Sequence, residues 1–317
     1  MCYYTVRIAG LALLLFTICF VNVAQTPSAA VNHYRDGLSK TNKGDLDGAI
    51  KDYTKAIELS SRLFLGDSSK SKSWGNGTDA VVESAGITVV DPFTARAYTN
   101  RGVARYRKGD LEGAIRDFNQ ALRIRPSLAE AYLNRGAAKR VLGDREGSLA
   151  DVDRAISLDD KLFEAFNNRG ALRYDLGDID GALSDLNRAI ELNPRVFEHF
   201  YHRGYAYIKK RDYNKAISDF DRAINLAPSI AQGYQGRATA RMSKGEYEQA
   251  IADFNRALEL NANLPFCYMN RGLALMMLRR DAEAQKDLDK ALALDSELEA
   301  EIKHRKEIAE ELRNTRP

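Results

Sequence analysis

Between residues 95 and 298, small, bulky apolar and polar positions return every 34 residues, without insertion or deletion. The first block, Ala95 to Leu128, reads ARAYTNRGVARYRKGDLEGAIRDFNQALRIRPSL, and later blocks begin at Ala129, Phe163, Phe197, Ala231 and Pro265. Small residues hold the eighth place (Gly102, Gly136, Gly170, Gly204, Gly272, with Ala238 once), most of the twentieth and all of the twenty-seventh. Rings hold the fourth place, as at Tyr98 and Phe166; Phe118, Val152, Leu186, Phe220, Phe254 and Leu288 hold the twenty-fourth. Small positions facing large ones let two helices approach closely, so each block predicts a helical hairpin. The pairs Gly109-Asp110, Gly143-Asp144 and Gly177-Asp178 mark the turn. There Gly can end one helix in the left-handed region and Asp can cap the next. Pro126, Pro194 and Pro228 close the second helix, which none of them could continue.

A more divergent copy spans 30–63, with Gly37, Ala49, Tyr53 and Ala56 in register, which makes seven copies. The predicted organisation is therefore 30–63, 95–128, 129–162, 163–196, 197–230, 231–264 and 265–298. An insertion at 64–94 separates the first two copies, and 299–317 follows the last. The insertion is polar and Gly/Ser-rich around Trp74 and carries the sequon Asn76-Gly77-Thr78, the composition of a surface loop. In the tail, Leu298, Ile302, Ala309 and Leu312 make a narrow apolar stripe on a charged helix, as expected of a cap over the last hairpin of a stack.

The 34-residue pattern resembles the tetratricopeptide repeat family over residues 30–63 and 95–298. What the resemblance implies is an all-α fold: a right-handed α-solenoid of seven helix-turn-helix repeats with a C-terminal capping helix. It also implies a concave groove lined by the first helix of each repeat, where a peptide or protein segment would bind.

The sequence departs from the family at the seventh place, where Leu is replaced by Arg in six copies: Arg101, Arg135, Arg169, Arg203, Arg237 and Arg271. Four of these have a second cation four residues on (Arg105, Lys139, Arg173, Arg241). Like charges at that spacing cost an isolated helix about 0.2–0.5 kcal/mol, so a carboxylate is expected nearby. The twenty-third place supplies one in every copy: Asp52, Asp117, Asp151, Asp185, Asp219, Asp253 and Asp287. A structural Arg–Asp ladder is predicted, within repeats or between neighbours, which would also neutralise a polyanion-binding stripe.

Asn100, Asn134, Asn168 and Asn270 occupy the sixth place, with His202 and Gly236 as exceptions. In the glycosyltransferase that adds O-linked N-acetylglucosamine, a similar array grips a peptide backbone with asparagines at this place. An amide suits that task because it offers both donor and acceptor. Tyr106, Tyr174, Tyr201, Tyr205 and Phe266 are expected to face the same groove and to bury partner side chains. The alternative reading is that the asparagines make hydrogen bonds between repeats.

Composition adds exclusions. Forty-seven basic and 44 acidic residues leave a net charge of +3, evenly spread, so no nucleic-acid partner is expected. Arg7 followed by the apolar run from Ile8 to Val21 and small residues at Ala24 and Ser28-Ala29-Ala30 reads as a signal peptide over 1–24, with cleavage as late as 30. Export to a periplasm or the exterior follows, with a retained membrane anchor as the alternative. Of three cysteines, only Cys267 lies beyond that segment, and the expected role is a small buried apolar residue. His33, His199, His202 and His304 are scattered and fit no ligand spacing. No phosphate-binding loop appears either, so the expectation is a binding protein with no enzymatic activity, no cofactor and no metal; the alternative is a membrane-tethered or self-associating structural scaffold in which the groove is not the main site.

Overall fold

The computed structural model describes residues 28–65 and 92–315, and all regular structure among them is helical. The predicted signal peptide with Cys2 and Cys19, and the insertion's Trp74 and Asn76 sequon, lie outside the described residues. Contacts divide the chain into two compact units, Met1–Asp160 and Lys161–Pro317.

In the first unit α1 (Ser28–Lys43) pairs with α2 (Leu46–Leu65), α3 (Pro92–Lys108) with α4 (Leu111–Ile124), and α5 (Ala129–Val141) with α6 (Arg145–Leu158). The helices reach into the expected insertion from both sides, to Leu65 and from Pro92. The second unit pairs α7 (Phe163–Asp175) with α8 (Ile179–Leu192), α9 (Phe197–Lys209) with α10 (Tyr213–Leu226), α11 (Ala231–Lys244) with α12 (Tyr247–Leu260), and α13 (Pro265–Met277) with α14 (Asp281–Leu294). A 3₁₀ turn, Ser296–Leu298, leads into α15 (Glu299–Thr315), which packs on α13. Within each unit the second helix of one hairpin packs on the first helix of the next.

The eighth and twenty-fourth places meet inside each hairpin. A Cβ added to Gly102 would lie 2.7 Å from the Phe118 ring, closer than any side chain permits. Tyr53, Phe118, Val152, Leu186, Phe220, Phe254 and Leu288 are all essentially inaccessible. Burying each such side chain favours folding by about 1.5–3 kcal/mol.

Gly44, Gly109, Gly143, Gly177 and Gly245 close the first helices with φ between 81° and 90°. Asp110, Asp144 and Asp178 cap the following helix by accepting the Gly113, Gly147 and Gly181 backbone N–H groups at 2.9 Å. Two turns depart from this chemistry: Arg211 (φ 60°) and Arg279 (φ 61°) adopt the left-handed conformation that glycine fills elsewhere.

The apolar stripe of α15 is shorter than the sequence suggests. Leu298, Ile302 and Ala309 are buried, but Leu312 is 49% exposed, because it sits on the lip of a cavity instead of against a helix. Among the described residues, no helix is long and apolar enough to cross a membrane.

Candidate functional site

The buried charges come first, because they decide which face of the first helices is left for a partner. Each seventh-place arginine forks onto the twenty-third-place aspartate of its own hairpin. Arg101 Nε and Nη2 donate to Asp117 at 2.9 and 2.7 Å. The pairs Arg135–Asp151, Arg169–Asp185, Arg203–Asp219, Arg237–Asp253 and Arg271–Asp287 repeat the fork, each with a bond of 2.6–2.7 Å. These aspartates are buried, and a buried carboxylate is tolerable only when paired and hydrogen-bonded. Arg105, Lys139, Arg173 and Arg241 supply the second cation at 2.8–2.9 Å. Each seventh-place guanidinium also lies over the ring three residues before it, from Tyr98 to Tyr268, at 5.2–5.8 Å.

A third set of bonds was missed by the sequence reading. The remaining Nη1 crosses to the preceding hairpin: Arg101 to Thr54, Arg135 to Asn119, Arg203 to Asn187, Arg237 to Asp221 and Arg271 to Asn255. The column was legible, since the twenty-fifth place is always a short polar residue. One guanidinium thus locks a hairpin internally and ties it to its neighbour.

Three hairpins vary the theme; in the seventh, Leu275 stands where the second cation would be and Asp287 keeps Arg271 alone. In the first, Asp36 stands at the seventh place, and Asp52 instead pairs with Lys40 at 2.7 Å and His33 Nδ1 at 3.2 Å. Burial alone would raise the Asp52 pKa, but these two partners outweigh it and hold the carboxyl below its ordinary value. In the fifth, Tyr207 replaces the second cation; burial there prevails over Arg203, and the Asp219 carboxyl is pushed up.

With the arginines turned inward, the sixth-place amides and the rings remain to be placed. Asn100 Nδ2 donates to the Tyr34 hydroxyl at 2.8 Å, so part of its capacity is spent between hairpins. Asn134 Nδ2 donates to the Glu130 carbonyl of its own helix at 2.8 Å, at the surface. Asn168 is half-buried. Asn270 is only 9% exposed, and its Oδ1 has no hydrogen-bond partner among the described residues. His202 Nδ1 takes the sixth-place role by lying 3.0 Å from Asn167 Oδ1.

The rings divide. Phe266 is 44% exposed; Tyr106 and Tyr174 are half-buried. Tyr201 and Tyr205 pack instead as part of a cluster, Tyr201 stacked on Phe197 at 5.4 Å and Tyr205 edge-on to the inaccessible Phe220 at 5.3 Å. Burial pushes the Tyr205 hydroxyl well above the ordinary tyrosine range. Their contribution to an open surface is smaller than expected, because both rings pack edge-on to Phe220, which also fills the space beside Gly236: a Cβ there would fall 2.2 Å from its ring.

His199 does not converge with His202. It is 1% exposed, edge-on to Phe163, with Nδ1 3.1 Å from the Asn193 carbonyl oxygen. Burial lowers its pKa and keeps the ring neutral. Among the described residues, no three His, Cys, Asp or Glu side chains gather as a metal site would require. Cys267 is wholly buried, and burial pushes its thiol up to about 12.

Residues 102–143 and 238–278 match a family profile described as TPR repeat, and 33–62 and 167–230 match profiles described as tetratricopeptide repeat. Together the matches span more than half of the chain. No curated protein matches the sequence. Among solved structures, the chain is similar to a tetratricopeptide repeat protein from Parabacteroides merdae at 20% identity and a TM-score of 0.60, covering 89% of this chain and 99% of that one. It is similar to a chain of the APC/C hetero-tetramer Cut9-Hcn1 at 19% identity and a TM-score of 0.62, covering 68% of this chain but only 42% of that one. Pseudomonas aeruginosa pilF gives 19% identity and a TM-score of 0.54, with coverages of 65% and 90%. At these identities the likeness shows the fold.

Proposed function

The chain belongs to the tetratricopeptide repeat family, and from that premise we propose that it is an exported, non-catalytic scaffold that holds a peptide or protein segment on the first-helix faces of its hairpins. The observation behind this reading is the division of labour on those helices. The arginines are consumed by buried aspartates, which leaves accessible amides and rings such as Asn134, Asn168, Tyr174 and Phe266. Such a surface binds through amide hydrogen bonds and aromatic contacts, the composition that protein interfaces favour. Because the helices are held by their own packing, little ordering entropy is lost on binding.

Affinity capture from the native extract tests the reading. Wild type is run beside Asn134→Ala in the first unit and Asn168→Ala/Phe266→Ala in the second, each first matched to wild type in helicity and melting temperature. Partners captured by wild type and lost from a variant support recognition on that face. Equal capture by all three would move binding elsewhere. Export rests on the apolar run of residues 8–21 and is tested by mass spectrometry of the mature N-terminus; an intact Met1 would leave a retained anchor.

A further inference from the structure

The fourteenth place of the repeat, next to the hairpin turn, is Lys or Leu in every copy: Lys43, Lys108, Leu142, Leu176, Lys210, Lys244 and Leu278. Neighbouring first helices lie side by side within each unit, so the turns of a unit form one edge. Leu142 and Leu176 are 50% and 47% exposed there, and Val141 beside Leu142 is 59% exposed. Turn tips ordinarily carry small or polar residues. Apolar tips of this size call for a surface to meet.

The same edge carries cations that the fold does not use. In the second unit Asp180, Asp212, Glu246 and Glu283 hold Lys210, Lys215, Lys244 and Arg280. Asp178 caps α8, and Asp281 holds Arg313. The further acids Asp175 and Glu248 belong to the fourth and sixth turns. Arg211 and Arg279, at the fifth and seventh turns, are exposed and have no carboxylate partner among the described residues. In the first unit Arg145, next to Glu146, is likewise exposed and unpaired beside the Val141 and Leu142 tip.

Arg211 and Arg279 also take left-handed φ values of 60° and 61° where other turns have glycine. That conformation disfavours an L side chain, and strain kept at an exposed position points to a use outside the fold. Packed helices are spaced by about 8–10 Å, so two arginines separated by one hairpin stand on the order of 16–20 Å apart along the edge.

We propose that the turn edge of each unit docks on an anionic lipid bilayer, with Val141, Leu142 and Leu176 entering the headgroup boundary and Arg145, Arg211 and Arg279 meeting lipid phosphates. Apolar side chains flanked by cations suit that boundary, and each Lys or Arg near an anionic leaflet strengthens binding. A bilayer offers phosphates at any spacing, so arginines a whole hairpin apart can both be met. Nucleic acid fits less well: it would leave the apolar tips in water and favours a continuous cationic groove with stacking rings. The edge lies at the C-terminal ends of the first helices, so a docked unit keeps Asn134, Asn168 and Phe266 free for a peptide.

Hydroxyl-radical footprinting of the full chain, read by mass spectrometry, tests the proposal. The probes are vesicles of equal parts phosphatidylcholine and phosphatidylglycerol, and vesicles of phosphatidylcholine alone. The readout is local, so a retained apolar run of residues 8–21 cannot imitate it. With the anionic vesicles, oxidation of Val141, Leu142 and Leu176 should fall, and that of the exposed Phe266 should not. Arg211→Gly/Arg279→Gly suits the turn conformation, so lost docking would not be lost folding. It should raise the lipid concentration that half-protects Leu176 about thirtyfold, about fivefold for each charge. Arg145→Gln should raise it about fivefold at Val141 and Leu142.

No protection at the three tips, equal protection by phosphatidylcholine alone, or protection spread equally to Phe266 would overturn the proposal. So would an unchanged midpoint in the double-glycine variant. Single-stranded oligothymidylate protecting Leu176 as effectively as the anionic vesicles would overturn it as well, since the edge would then read charge without a lipid boundary.

Discussion

Arg237 donates from Nη1 to Asp221 of the preceding hairpin at 2.6 Å, while its Nε and Nη2 hold Asp253 within its own. The two carboxylates differ in kind. Asp253 is 4% exposed, whereas the Asp221 side chain is about half exposed. The fork to Asp253 therefore repairs a buried charge, and the bond to Asp221 couples neighbours at the surface.

Arg237→Ala should destabilise the second unit by about 3 kcal/mol, the lower end for breaking a buried pair, because Arg241 still faces Asp253. Asp221→Ala should cost no more than about 1 kcal/mol and should lose its effect at high salt. Chemical denaturation of both variants at low and high ionic strength checks the contrast. Equal losses would mean that the fork to Asp253 contributes little.

Asp253→Asn leaves two guanidiniums facing a neutral amide, whereas Asp219→Asn leaves only Arg203, because Tyr207 stands where the second cation would be. Asp219 already has a raised pKa from burial, so losing its charge should be the milder change. Melting temperatures should fall further for Asp253→Asn, and a reversed order would contradict the two-cation account.

Much of this was legible in the sequence because a 34-residue register makes every column visible several times. The Arg101–Asp117 fork could be anticipated from charge balance alone: two cations on one helix face called for one acid opposite. The bond from Arg135 to Asn119 was harder, since an asparagine column signals a polar contact without naming its partner. Single-copy features escaped. Nothing repeated indicates that Tyr205 would turn onto Phe220, or that Leu312 would end on the rim of a cavity instead of in the core. Both depend on how one particular pair of helices is spaced.

Arg211 and Arg279 carry φ values near 60° where other turns have glycine. A left-handed conformation costs an L residue about 1–2 kcal/mol, partly offset by the extra chain entropy glycine loses on folding. Arg211→Gly and Arg279→Gly should each raise stability by about 0.5–1 kcal/mol. The same exchange reversed, Gly177→Arg, should lower it. Thermal melts of the three variants test the turn directly.

Acidification should loosen the hairpins in sequence. His199 has a folded pKa lowered by burial, so the unfolded chain binds its proton more readily. The stability it lends is complete above about pH 6.5 and is lost as pH falls through the folded value. Asp52, also lowered, behaves with the same sign below its ordinary value of about 3.9. Hydrogen-exchange protection factors should therefore fall in α9 between neutral and mildly acidic pH, and in α1 and α2 only in stronger acid. His199→Leu should flatten the first step alone; an unchanged profile would remove His199 as its cause.

Cys267 lies on α13, wholly buried, with its thiol pushed up to about 12 by burial and Arg271 opposing the shift. Only the thiolate attacks electrophiles, and at neutral pH its population here is negligible even before access is considered. Iodoacetamide should leave Cys267 unmodified in the native protein, as read by peptide mass mapping that separates it from Cys2 and Cys19. Labelling should then appear with denaturant at the rate at which α13 opens. Rapid stoichiometric modification under native conditions would show that α13 opens far more readily than its packing against α14 and α15 implies.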